Sequence, residues 1–317
     1  MRTTRLPGTD VDVSVVGHGC WAAGGLWWGD DVRDDDAIAA MRAAADAGVN
    51  LFDTAPLYGH GHADTLLRQA FGAGLRDLVV ASKCGVRWDG DGTHARSDLT
   101  PAYLRADIDA SLQRLGIEHI SLMQVHWPCE LGTPIADTMS TLFTLRDEGK
   151  IGAIGLCNYS AQQLAEAREH GLISVLQTPY SMLRRELEGP LAAEAASAPK
   201  MATFAYEPLC RGLLTGRRNA TDRFPDTDLR ARDDRFVGKR YLRALTLTSR
   251  LALIAARHAV PTSALAVAWV LRQPAVDVAL VGAKRPAQVL ENVVAGSLTL
   301  DDDVWREVDR IAGAWHG

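Results

Sequence analysis

Short apolar runs alternate with longer amphipathic stretches along nearly the whole chain. The runs are NLFDT (50–54), LVVASK (78–83), SLMQVH (121–126), IGAIGLC (151–157), SVLQT (174–178), MATFAY (201–206) and VDVALVG (276–282). Valines 13, 15 and 16 leading to Gly17 add a first run over about 13–19. Each is short and partly β-branched, the pattern of parallel strands buried on both faces. Helical patterns with polar stripes lie between them. One ends at Gly48, one covers about 62–73, and one opens at Thr100-Pro101, an N-cap followed by a residue pre-shaped for the first turn. Eight strand–helix units predict an α/β fold, the (β/α)8 TIM barrel; a doubly wound open sheet is the main competitor. Ahead of the first run, Pro7-Gly8-Thr9-Asp10 predicts a β-hairpin. No Pro/Gly/Ser-rich linker divides the chain, so one domain over 1–317 is expected, with a long loop after strand seven. Within that loop, RRNATDRFPDTDLRARDDR (217–235) alternates in charge sign and reads as solvated.

Composition acts mainly by exclusion. The formal net charge is −5 and no predicted element concentrates positive charge, which argues against a nucleic-acid partner. No apolar run approaches the roughly 20 residues of a membrane span. The N-terminus lacks the apolar centre of a secretory signal. Five cysteines, odd in number and without a CxxC pair, argue against a disulfide framework or a cysteine zinc site and for a reducing cytoplasm.

Barrels of this kind carry their chemistry at the C-terminal ends of the strands. Those ends hold Asp53, Lys83, His126, Cys157-Asn158, Gln177, Tyr206 and VGAKRPAQ (281–288). Tyr58 follows Asp53 in a glycine- and histidine-rich loop. A phenol donates a proton at neutral pH, and a nearby ammonium would lower its pKa by roughly 1–3 units. Lys83 would be costly to bury without Asp53 as its partner. His126 could orient a carbonyl oxygen. The four suit proton transfer to or from an oxygen, which makes sense if a nicotinamide or flavin moves hydride to the carbon. GxGxxG is absent. Instead Gly282 permits close backbone approach, Lys284 and Arg285 supply charge, and Pro286 opens a helix whose first amides favour phosphate. Taken singly, each residue has an ordinary structural explanation; their convergence on one barrel face is what favours a site.

The motifs GVNLFDTAPLYGHG (48–61), ASKCG (81–85), QVHWP (124–128), IGLCNYS (154–160), AYEPLCRGLLTG (205–216) and GAKRPAQVLEN (282–292) resemble the aldo-keto reductase superfamily, over about residues 3–312. The resemblance implies a (β/α)8 barrel that reduces aldehydes or ketones with a nicotinamide cofactor, usually NADPH. Asp53, Tyr58, Lys83 and His126 would be its catalytic tetrad, with Tyr58 the general acid. Asn158 and Gln177 would hold the carboxamide and Tyr206 the nicotinamide ring. Trp21, Leu209, Arg211, Gly212, Leu214 and Gly282 would line the cofactor. Lys284, Gln288 and Asn292 would meet the adenosine end, with Lys284 and Arg285 reading a 2′-phosphate. Two departures stand out: Cys157 where the family often has Ser, and Ala63-Asp64 where Ser-Glu is common. By position alone, Cys20, Cys84, Cys157 and Cys210 are expected at the cofactor cleft or in its packing. Trp27, Trp28, Trp88 and Trp127 are expected as aromatic walls of a substrate pocket, suited to a sugar-like or secondary-metabolite carbonyl. Two alternatives differ in class. One is a non-catalytic cofactor-binding subunit, like the barrel β subunits of potassium channels. The other is a metal hydrolase using HGHAD (60–64), whose His-x-His lies beyond the strand tip where such ligands belong.

Overall fold

The computed structural model describes residues 1–29, 31–89 and 94–315. Eight parallel strands close into a barrel: β1 Val16–Gly19, β2 Leu51–Asp53, β3 Val79–Cys84, β4 Ile120–Val125, β5 Ile151–Cys157, β6 Val175–Pro179, β7 Ala202–Tyr206 and β8 Val278–Gly282. They neighbour one another in sequence order, and β8 closes onto β1 through Leu280–Gly17 and Gly282–Gly19. The strands are almost wholly buried because helices cover their outer faces. The principal helices are α1 Asp34–Asp46, α2 His62–Phe71, α3 Pro101–Leu115, α4 Ile135–Asp147, α5 Ala161–Arg168, α6 Pro190–Ala196, α7 Gly238–Arg257, α8 Thr262–Leu271, α9 Pro286–Val293 and α10 Asp302–Gly313. The fold is the expected (β/α)8 barrel.

The first strand is shorter than the apolar pattern implied. Residues Asp12–Ser14 pair antiparallel with Thr3–Arg5, turning through Gly8 at φ +76°, and only Val16–Gly19 enters the barrel. The hairpin closes the N-terminal end. Leu6 and Val13 pack in one cluster with the inward residues Leu51, Val79, Leu122, Val175, Phe204 and Val278. The inward-facing floor of the barrel is therefore apolar.

Two features escaped the sequence pattern. Val86–Trp88 pairs antiparallel with Ala95–Ser97 to form a second hairpin after β3. The segment 217–235 is not solvated as a whole. Asp228, Arg230, Asp233 and Arg235 are all buried, because each arginine meets an acid: Arg230 bonds Asp228, and Arg235 bonds Asp233 and Glu207. No single helix among the described residues is long and apolar enough to cross a membrane; the most apolar one, α8, is enclosed by its neighbours.

Candidate active site

Asp53 is the last residue of β2, and Lys83 lies in β3 one strand away. Lys83 Nζ donates to Asp53 Oδ1 at 2.6 Å and to the Thr54 carbonyl at 3.1 Å, and it lies 4.9 Å from the centroid of the Tyr58 ring. Lys83 and Asp53 are 1% and 3% exposed, so this pair is desolvated. Burial opposes the lysine's charge, but Asp53 foremost, with Tyr58 and Cys157, outweighs it and holds the ammonium above its ordinary pKa. The second carboxylate oxygen is occupied too. Gln177 Nε2 donates to Asp53 Oδ2 at 2.8 Å and reaches Gln124 Oε1 at 3.1 Å. Gln124, inside β4 and fully buried, is part of the site's foundation and was not foreseen. A glutamine inside an otherwise apolar strand, SLMQV, was the signal that could have found it.

Tyr58 stands between His126, whose ring centroid is 6.0 Å away edge-on, and Trp21, stacked at 6.2 Å. Its acidity differs from the expectation. Burial raises the phenol above its ordinary range, Asp53 adds to the rise, and the charge and hydrogen bond of Lys83 offset only part of it. Burial, and after it Lys83, holds His126 well below the imidazole range, so its ring is neutral near pH 7. The Tyr58 loop is fixed by backbone contact: a Cβ on Gly24 would lie 2.6 Å from the Tyr58 carbonyl carbon, and one on Gly59 (φ +64°) would lie 2.2 Å from the Gly24 oxygen.

These groups form one end of a continuous cleft of about 620 Å³. Its wall includes Trp21, Trp27, Trp28, Trp127, Asn158, Gln177, Tyr206, Leu209, Arg211, Gly212, Gly282, Lys284, Arg285, Gln288 and Asn292. Trp88 stands outside that wall and stacks on His60 at 4.9 Å. Leu214 points into the hydrophobic core. Of the four cysteines placed by position, Cys157 reaches the cleft; Cys20, Cys84 and Cys210 are packing residues within the core. Cys157 thiol is pushed up to about 12 by burial, with Lys83 pulling the other way, so it acts as a neutral neighbour of Gln177 and Asn158.

Several site residues already serve one another. Tyr206 Oη donates to Asn158 Oδ1 at 2.8 Å, and Asn158 Nδ2 donates to the His126 carbonyl at 3.1 Å. Gln288 Oε1 accepts from the backbone amides of Lys284 and Arg285, squaring the start of α9. Pocket residues that sequence reasoning missed include Asp31, Arg184, Glu207, Arg217, Arg218 and Ser263. The histidines of HGHAD are dispersed: His62 pairs with Asp34, His60 stacks on Trp88, and Asp64 is bonded by Thr54 and Arg114. Among the described residues no three His, Cys, Asp or Glu side chains are grouped to share a metal ion.

A closed parallel barrel with a buried lysine–carboxylate pair beside a phenol and a neutral imidazole defines a class of carbonyl-handling oxidoreductase. The comparison with known proteins agrees. The sequence matches the aldo/keto reductase family over residues 15–312, and the chain belongs to that family, whose members act on small carbonyls with a nicotinamide cofactor. It is 35% identical to the aldo-keto reductase YhdN of Bacillus subtilis, over 95% of this chain and 91% of that one. It is 34% identical to the NADH-specific methylglyoxal reductase of Escherichia coli, over 95% of each. Among solved structures it resembles the glycerol dehydrogenase AKR11B4 from Gluconobacter oxydans, with a TM-score of 0.87 and 35% identity over 98% of this chain and 95% of that one.

Proposed function

We propose that the protein reduces a small oxygenated aldehyde or ketone, reversibly, with Tyr58 as the acid that protonates the carbonyl oxygen and with NADPH as a usable hydride source. The bound nicotinamide supplies the hydride; every other part of the reaction falls to side chains of this chain. Neutral His126 can donate one ring N–H to the carbonyl oxygen and hold it near the Tyr58 phenol. Lys83 steadies the phenolate left after proton transfer, and Asp53 keeps Lys83 in place. Trp21, Trp27 and Trp127 exclude water and offer flat apolar contact. The observation that carries the reading is Lys83, buried and pinned between Asp53 Oδ1 and the Thr54 carbonyl, 4.9 Å from the Tyr58 ring, at the end of a cleft that continues to Lys284.

The remainder of that cleft carries groups suited to a dinucleotide. Ser263 Oγ, Arg218 Nε and Trp28 Nε1 are buried along it with no hydrogen-bond partner among the described residues, as expected of groups that meet a polar ligand. Asn158 and Gln177 offer amides near the tetrad, Tyr206 offers an aromatic face, and Lys284 with Arg285 offers charge at the far end. The names of the relatives favour a small substrate, since methylglyoxal and glycerol are both short oxygenated molecules. The decisive test is a Tyr58→Phe variant assayed with an aldehyde and ketone panel. Dinucleotide binding, read by quenching of tryptophan fluorescence, should persist while turnover falls roughly 10²–10⁴-fold. Normal turnover in that variant would remove Tyr58 from the mechanism.

A further inference from the structure

The cations at the far end of the cleft are already engaged by an acid from another loop. Lys284 Nζ donates to Asp31 Oδ1 at 2.6 Å, and a guanidinium nitrogen of Arg285 lies 3.9 Å from Asp31 Oδ2. The two carboxylate oxygens are thus divided between an ammonium and a guanidinium, which is how a phosphate monoester would present two of its oxygens to the same pair. Lys284 also donates to the Trp28 carbonyl at 2.8 Å, and its side chain is only 13% exposed, so its charge faces into this arrangement. The segment carrying Asp31 is tethered on its other side: the Leu229 amide donates to the Trp27 carbonyl at 2.9 Å, and Trp28 forms an antiparallel bridge with Asp228.

We propose that Asp31 is an internal competitor for the subsite of the ribose 2′-phosphate and is therefore a determinant of cofactor choice. The inference rests on the proposed reading of Lys284 and Arg285 as the phosphate-facing cations. A 2′-phosphate must take those cations from a neighbouring negative charge or crowd against it, whereas NADH carries no 2′-phosphate to do so. Asp31 thereby narrows the preference for NADPH that Lys284 and Arg285 would otherwise create.

The test is direct binding to the full-length protein, by tryptophan quenching, of NADH, NADPH, 2′-AMP and 5′-AMP to wild type, Asp31→Asn and Asp31→Ala. Both variants should bind NADPH and 2′-AMP roughly tenfold more tightly, while the Kd for NADH and 5′-AMP moves by less than about threefold. Lys284→Ala should weaken NADPH selectively. If removing Asp31 leaves NADPH binding unchanged, weakens it, or shifts both dinucleotides equally, Asp31 is not a competitor and this inference falls alone. If wild type binds neither dinucleotide, the cofactor reading itself falls and takes this inference with it.

Discussion

At the scale of the residue, the desolvated Asp53–Lys83 pair ties chemistry to stability. Removing one member of a buried ion pair strands the other charge, at a cost of about 3–5 kcal/mol. Asp53→Asn should therefore lower unfolding stability by that order in a urea titration. Adding Lys83→Met should recover most of it, yet turnover should be absent in both. Tyr58 makes a prediction of a different kind. Its phenol is held above its ordinary range chiefly by burial, so it remains protonated across the neutral range. With Tyr58 in the proposed role, the reduction rate should be flat with respect to this group between about pH 6 and 9, while alcohol oxidation, which would draw on the phenolate, should climb with pH. Rate profiles recorded in both directions would check this.

His18 offers a further check on the same principle. Burial lowers its pKa from 6.5 to about 4, and its Nε2 has no partner among the described residues. The unfolded chain takes up this proton first, so His18 costs no stability above about 6.5 and progressively destabilises the fold as pH falls from there toward 4. The full loss would be about 3 kcal/mol, from the shift to about 4. Asp107, pushed up to about 6 by burial against the pull of its Gly85 bond, works in the opposite sense, gaining stability as pH falls through the same window. His18→Phe should gain relative to wild type between pH 6.5 and 4, seen as a widening difference in Tm.

At the scale of the element, the position of Tyr58 depends on loops meeting backbone to backbone. Gly24 lies against the Tyr58 carbonyl with no room for a methyl group. Gly24→Ala should displace Tyr58 and cut turnover by at least about tenfold, with a smaller effect on dinucleotide binding than on kcat. How much of the site could be read from sequence follows from the same geometry. Asp53, Lys83 and His126 were legible because each interrupts or ends an apolar run at a strand's C-terminal end, where burial alone would not place a polar side chain. Gln124 interrupts its strand in the same way, but its contribution emerges only once Gln177 and Asp53, far apart in sequence, are brought beside it by the barrel. Trp88 was misplaced because loop membership does not fix which way a side chain turns. The Val86–Trp88 hairpin has strands of three residues with mixed polarity, too short to generate a period. The segment 217–235 misled for a physical reason: alternating charge describes both a solvated loop and a set of internally paired, buried ions.

At the scale of the whole molecule, Glu207 is the hub that holds the loop after β7 against the barrel. Its carboxylate, 6% exposed, accepts from Arg211 at 2.8 Å and from both terminal nitrogens of Arg235 at 3.3 Å, and Arg184 lies 3.7 Å away. Glu207→Gln should loosen residues 217–235, seen as faster amide exchange confined to that segment while the barrel strands keep their protection.

The bridge between Trp27–Trp28 and Asp228–Leu229 has a consequence for traffic. These two loops rise from β1 and β7, and β8 lies between those strands. Whatever is seated at the tip of β8 is therefore roofed by a closed span, and a long ligand cannot depart sideways without parting it. Carbonyls whose reduction outruns the parting of that span should share one kcat, whereas slower substrates should fall below it.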